Sequence, residues 1–392
     1  MTPSARVQSA IELLDAIIHA AKDKGAPADR ILSDWFRGNR FAGSKDRRAI
    51  RELVYGAIRA CGPVPPSGRA AMLGLAEGDP ALEALFDGSP YGPAAMQDGE
   101  PVAKAGIAPE WLESALAASG IAGPEAAALL ERAPLDLRVN TLKASRKTID
   151  LPSEAQPIEA PNGLRLAPGT AVEQWDAYQR GLIEVQDGGS QLTCEAVAAQ
   201  AGETVVDLCA GAGGKTLALA AAMANAGTLV AADTDRGRLS RLAPRAARAG
   251  ALVAETVLLD PGRELEALAH WREKADAVLV DAPCSGSGTW RRNPESRWRL
   301  TQPDLDRLVS TQARLLEIAS ELVRPGGRLL YVVCSLLDAE GPDQVATFLA
   351  SHPGWRSDPP QLPLGNPRGT GVRLTPFHDG TDGFFVARLE KA

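Results

Sequence analysis

The chain has 392 residues, 45% of them hydrophobic and 23% charged, with a formal net charge of -7, which is enough ordinary globular sequence for two or more domains. No apolar run approaches the ~20 residues of a membrane helix, and Met1 to Gln8 carries no basic-then-apolar signal pattern, so a cytoplasmic protein without membrane contact is expected. The five cysteines, Cys61, Cys194, Cys209, Cys284 and Cys334, include no C-x-x-C pair; that argues against a zinc site or a disulfide framework and leaves reduced thiols free for chemistry.

Residues 8 to 60 read as helices, because Ile11, Leu14, Ile17 and Ile18, and later Ile50, Leu53, Val54, Ala57 and Ile58, recur at helical spacing. Within them, Arg37 to Arg59 holds seven basic residues (Arg37, Arg40, Lys45, Arg47, Arg48, Arg51 and Arg59) against Asp46 and Glu52. Such a run is either a solvated helix face or a nucleic-acid footprint. Residues 62 to 109 are rich in Pro and Gly, so helices there are short or interrupted, and Glu110 to Leu130 reads as helical again. Leu137 to Leu142 alternates like a strand, and residues 150 to 170 read as loop.

From Val185 onward short apolar runs alternate with helices. Strands are expected at 204–210, 227–233, 255–260, 277–283, 328–335 and 384–390, with helices at 215–224 and 236–249. Alternation of this kind means an α/β, Rossmann-like doubly wound sheet, with ligands at the carboxyl ends of the strands. The expected division is a helical domain over 1–130, a small α+β segment over 131–184 and the α/β domain over 185–392.

Four motifs sit at those strand ends. The first is Asp207-Leu-Cys209-Ala210-Gly211-Ala212-Gly213-Gly214-Lys215-Thr216, a strand, a glycine turn and a helix start. Glycines let the backbone approach a ligand, and a helix N-terminus offers free N–H groups. A P-loop is a poor match, since Cys209 stands where its first glycine belongs, and the spacing of Gly211, Gly213 and Gly214 is wrong for a dinucleotide fingerprint. An S-adenosylmethionine site needs an acid at the end of the first strand and a tight glycine turn, and both are present. The second element is a pair of acids at successive strand ends: Asp233, placed for ribose hydroxyls as in dinucleotide folds, and Asp260, placed for the adenine amino group. An isolated acid at such a place is more often a helix N-cap; the shared position favours a ligand.

The third motif is Asp281-Ala-Pro-Cys284-Ser-Gly, where methyltransferases acting on exocyclic nitrogen carry an aromatic residue in place of the thiol. The segment after it, Trp290 to Arg299, interleaves four arginines with two tryptophans, a combination suited to phosphates and stacked bases; the plainer reading is a solvated loop. The fourth is Leu330-Tyr-Val-Val-Cys334-Ser335. A cysteine in a strand is usually a small hydrophobe, but Cys284 and Cys334 end consecutive strands that should lie side by side. Thiol addition to carbon 6 of a cytosine turns carbon 5 into a nucleophile, a form of covalent catalysis, and Asp281 is the group to hydrogen-bond the base N3. A thiolate near positive charge serves best.

Taken in order, these motifs resemble the RNA cytosine carbon-5 methyltransferases of the RsmB/Sun/NOP type, over residues from about 130 to the end. Leu137-Arg-Val-Asn140-Thr-Leu-Lys143 is similar to the family's N-terminal RNA-binding motif, Val185-Gln-Asp187-Gly-Gly-Ser190 to its lead-in, and Gly383-Phe-Phe to its ending. The resemblance implies that Cys334 is the nucleophile, that Cys284 assists product release, and that Cys209 to Lys215, Asp233, Asp260 and Asp281 line the cofactor and base site. Ser44 to Gly56 is similar to the NusB-like domain of the bacterial ribosomal-RNA members, which implies a small-subunit (16S) ribosomal RNA substrate; a monomer is expected. Two departures stand out. Gly211-Ala212 replaces the family's Ala-Pro, and Val333 replaces the threonine before the nucleophile. Two rivals remain: a P-loop hydrolase, which leaves both thiols without a role, and an RNA-binding assembly factor with a silent site, which a methyl-transfer assay separates from an enzyme.

Overall fold

The computed structural model describes residues 1–392, which form two compact units, Met1–Glu131 with Thr289–Thr301, and Arg132–Gly288 with Gln302–Ala392. No helix is long and apolar enough to cross a membrane.

The first unit is helical. Its main helices are α1 (Pro3–Lys22), α2 (Ala28–Gly38), α3 (Ser44–Ala60) and α4 (Gly68–Ala76). Thr2 caps α1 and Ser67 caps α4, each hydroxyl accepting a backbone N–H of the first turn. The apolar stripes read from the sequence face one core: Leu14 and Ile17 of α1 meet Ile50 and Val54 of α3 and Met72 of α4. The late segment Thr289–Thr301 also belongs here. Trp298 lies in that same core. Arg297 is fully buried and donates to the carbonyl oxygens of Ile58 and Cys61 at 2.6 and 2.7 Å, satisfying the end of α3. Arg299 donates to Gly25 and Ala26 carbonyls in the turn before α2.

The second unit holds two sheets. The smaller runs β2-β3-β1-β4, with β1 (Leu135–Val139), β2 (Gln156–Pro157), β3 (Gly163–Leu166) and β4 (Ile183–Val185), all antiparallel. The larger contains β5 (Thr204–Asp207), β6 (Thr228–Asp233), β7 (Glu255–Leu258), β8 (Ala275–Asp281), β9 (Val323–Val333), β10 (Trp355–Ser357), β11 (Asn366–Arg368), β12 (Gly371–Leu374) and β13 (Phe384–Lys391). Its order is β11-β12-β13-β9-β8-β5-β6-β7, with β10 against β13. Strands β5 to β9 pair in parallel, and the last four are antiparallel. The order reverses between β5 and β8, which places the ligand crevice beyond their carboxyl ends.

Some local expectations shift. The stretch 150–170 is not all loop, because β2 and β3 form there. Strands β10 to β12 escape notice in a segment broken by Pro359, Pro360, Pro363, Gly365 and Pro367. The helix expected over 236–249 is two, Arg236–Leu239 and Leu242–Ala249: Pro244 lacks an N–H, and its ring would collide with the residue 240 carbonyl in a continuous helix.

Candidate active site

The glycine turn is built as its residues require. Gly211 and Gly213 have φ of 55° and 87°, left-handed conformations that carry no penalty without a Cβ. Gly213 leads into helix Gly214–Ala222, and a Cβ on Gly214 would meet nothing within 4 Å. The turn is pinned to the next strand by Asp233, whose two oxygens accept the N–H groups of Gly211 and Asp235, both at 2.7 Å. Asp207, at the end of β5, is wholly buried and accepts the Thr216 hydroxyl at 2.6 Å. Burial pushes its pKa up to about 7, against the Thr216 hydrogen bond. One of its oxygens has no partner.

These residues fit S-adenosylmethionine: a glycine turn at a helix start that is open at Gly214, an acid at each of two adjacent strand ends, and an unpartnered buried carboxylate oxygen beneath. Asp260 lies two residues past β7, exposed. Arg238 was not anticipated. Its guanidinium lies over the turn, where a Cβ on Gly211 would meet it at 2.4 Å; five arginines between 236 and 248 made it hard to single out.

Beside the turn, Lys215 donates to Asp281 at 2.6 Å, from the first turn of its helix to the end of β8. Burial pulls the lysine pKa down, but the carboxylate outweighs it, and the ammonium is held above its ordinary range. The two strand-end thiols meet as well. The Cys284 and Cys334 sulfurs are 3.4 Å apart, both half-buried. The hydrogen bond with Cys334 is the largest influence on Cys284, followed by burial and by the charges of Cys334 and Glu340, and all of them push its pKa well above the usual thiol range. Either thiol can be the donor in this contact. Cys209 is also pushed well up, first by burial and then by Asp207, Asp281 and Asp233, so it serves as a packed thiol beneath the turn. Val333 is fully buried in the sheet, and the residue before Cys334 offers it no side-chain hydrogen bond.

One sequence reading needs correction. The arginine–tryptophan segment is neither a base-stacking loop nor a solvated one. Trp290, Arg291, Arg297 and Trp298 are at most 5% exposed, and their helical unit uses them as core and as carbonyl partners. In the Leu137–Lys143 motif, residues 137–140 are turned inward, whereas Thr141 and Lys143 are exposed. Arg138 donates to Gln186 at 2.6 Å, and Asn140 donates to the carbonyls of Gly181 and Ala249. In the basic run, Arg47 is half-buried and donates to the Ala42 carbonyl, whereas Arg40, Lys45, Arg48 and Arg51 are exposed.

Comparison with known proteins adds a second line. The family model described as 16S rRNA methyltransferase RsmB/F matches residues 194–390. The chain is 36% identical over 274 residues to "Probable ribosomal RNA small subunit methyltransferase B" of Synechocystis, covering 66% of this chain and 60% of that protein. It is 33% identical over 312 residues to "Ribosomal RNA small subunit methyltransferase B" of Sodalis glossinidius, covering 76% and 69%. Among solved structures, PH0851 matches 100% of both chains with a TM-score of 0.77 and 25% identity. A methyltransferase homologue from Pyrococcus horikoshii matches 72% of this chain and 99% of its own at 27% identity and a TM-score of 0.59. NSun6 from the same organism, solved with SFG, covers 72% and 98% with a TM-score of 0.63 at 20% identity, a likeness of fold.

Proposed function

The chain belongs to the 16S rRNA methyltransferase RsmB/F family, and from that premise we propose that it transfers a methyl group from S-adenosylmethionine to carbon 5 of a cytosine in small-subunit ribosomal RNA, through a covalent bond to Cys334. The observation that carries this reading is the pair of thiols in contact at the ends of β8 and β9, beside the Lys215–Asp281 ion pair. An aromatic residue at position 284 would suit attack by an exocyclic amine; two thiols suit addition to the ring.

The chemistry follows from the arrangement. The Cys334 sulfur adds to carbon 6 as the thiol proton passes to the base N3, and the electron pair of the 5,6 double bond moves onto carbon 5. Asp281, paired with Lys215 at 2.6 Å, is assigned to the edge of the base, where a carboxylate favours the N3-protonated, electron-poor ring that accepts the sulfur. S-adenosylmethionine would be held by the 209–215 turn, Asp233 and Asp260, and would supply the electrophilic methyl that carbon 5 takes, leaving as S-adenosylhomocysteine. The carbon-5 proton is then lost, and the carbon–sulfur bond breaks to restore the double bond. Cys284, whose sulfur lies 3.4 Å from that of Cys334, is assigned to hydrogen-bond the sulfur as it departs. Splitting the reaction into addition and elimination makes each step easier than direct methylation of a poor carbon nucleophile.

RNA contact is assigned to the exposed face of Arg40, Lys45, Arg48 and Arg51. Unmethylated 16S ribosomal RNA incubated with labelled S-adenosylmethionine and the protein should gain label that bisulfite sequencing maps to one cytosine carbon 5. Label on an exocyclic nitrogen, or no transfer, would overturn the reading.

A further inference from the structure

Glu340 lies outside the four strand-end motifs. It ends the short turn Asp338–Glu340 that follows β9 and is fully buried. Its carboxylate accepts four hydrogen bonds, all from neutral donors. One oxygen takes the Ser285 N–H at 2.8 Å and the Gln312 side-chain amide at 3.0 Å. The other takes the hydroxyls of Ser285 and Ser335, the latter at 2.5 Å. Ser285 follows Cys284 and Ser335 follows Cys334, so one carboxylate grips the residue after each thiol.

The rest of the network points the same way. The Ser285 and Ser335 hydroxyls are 3.1 Å apart, and Ser287 lies 3.2 Å from Ser335 while accepting the Leu336 N–H. Gln312 also donates to the Pro283 carbonyl at 2.9 Å, just before Cys284. Tyr331 of β9 donates to the Glu340 carbonyl at 2.7 Å, which fixes the glutamate's own backbone. A buried carboxylate without a cation is expensive, and it persists only where its acceptors are all used. Beyond the strands the two loops share one backbone bond, Gly288 N–H to the Cys334 carbonyl at 3.0 Å, and the Leu336 N–H on Ser287; Glu340 is the acceptor that joins the residues directly after the two thiols.

We propose that Glu340 is the positioning residue that locks the Cys284 and Cys334 loops together, so that both sulfurs address one base; this rests on the reading that these thiols carry the reaction. The carboxylate touches no reacting atom. It acts through Ser285 and Ser335.

The test separates geometry from charge. Glu340→Gln keeps two acceptor directions and an amide, and the serine hydroxyls can reverse to accept from it. Glu340→Ala removes the link. In the Cys284→Ala background, the rate of forming a gel-stable protein–RNA adduct with unmethylated 16S ribosomal RNA should fall by about tenfold or more in Glu340→Ala, since small misplacements of reacting groups cost rates on that scale. Glu340→Gln should restore most of it, and cofactor binding by calorimetry should be unchanged in both. A second readout needs no RNA. Diamide oxidises the two thiols to a disulfide while its N=N bond takes up both hydrogens and two electrons. Peptide mapping should show the 284–334 link forming readily in the wild type and in Glu340→Gln but slowly in Glu340→Ala. If Glu340→Ala does not fold, the double variant Ser285→Ala/Ser335→Ala, which removes both hydroxyl arms, should show the same slowing. Disulfide formation unaffected by Glu340→Ala or by the double variant overturns the proposal, whatever the RNA assay gives. A slowed disulfide with no adduct in the Cys284→Ala parent itself would instead leave the positioning role standing and overturn the covalent reading.

Discussion

Residues 281–288 and 289–301 follow one another in the chain and are equally rich in chemistry-bearing side chains, yet they do opposite things. The first stretch leaves β8 with a carboxylate, a half-buried thiol and a serine gripped by a buried glutamate. Its polar groups are organised around an accessible sulfur. In the second stretch the arginines and tryptophans turn into the helical unit, with Arg297 on the carbonyls that end α3 and Trp298 in the core. Burial pulls the Arg297 pKa down to about 10, still far above neutrality, so it is a permanent cation used as a carbonyl cap. Arginine and tryptophan in alternation thus describe two situations equally well, a nucleic-acid groove and a helix end that needs donors. The side-chain types do not choose between them; what chooses is whether the ring has an apolar cavity to fill.

That contrast can be broken first at Trp298. Trp298→Ala should lower the stability of the helical unit by about 3–5 kcal/mol, the usual cost of removing a buried aromatic ring, as read by denaturant unfolding. A variant of undiminished stability that loses RNA affinity would return the segment to RNA binding. A smaller effect is expected at the glycine turn. Asp233→Asn drops the charge and leaves one oxygen for the two backbone N–H groups, so S-adenosylmethionine affinity should fall by about 1.5–3 kcal/mol, the worth of a charged hydrogen bond, with some loss of stability. Calorimetry with unaltered affinity would leave Asp233 only the backbone contacts it makes with Gly211 and Asp235.

The smallest effect belongs to the exposed basic face. Replacing Arg48 and Arg51 by Gln should weaken RNA binding mildly and reduce the salt slope by about one to two, while cofactor affinity holds. An unchanged slope would make that face solvated only. Arg47 is excluded from this test because its guanidinium is tied to the Ala42 and Phe36 carbonyls.

Legibility in the sequence follows the same divide. The parallel strands were readable because each is a short apolar run ending in a turn or an acid, and Asp207, Asp233 and Asp281 mark those ends. The juxtaposition of Cys284 and Cys334 was readable because adjacent strand ends bring it about. Glu340 was not: a glutamate five residues after Ser335 carries no local signal, and its role exists only once Ser285 and Gln312 have been brought to it from distant parts of the chain. The inward turn of Arg138 and Asn140 was hidden for the same reason, since their acceptors lie on Gln186, Gly181 and Ala249. Strands β10 to β12 were lost to prolines and glycines that blur alternation.

The central claim is that the two thiols in contact divide one reaction between them. Its most direct test is denaturing electrophoresis of each single variant after incubation with unmethylated 16S ribosomal RNA and S-adenosylmethionine. Cys284→Ala should trap the RNA as a covalent complex, because addition by Cys334 proceeds and release does not. Cys334→Ala should form none and transfer no methyl group, while still binding both RNA and cofactor. A stable complex from Cys334→Ala with none from Cys284→Ala would reverse the two roles. No complex from either, with normal turnover in both, would contradict the covalent mechanism.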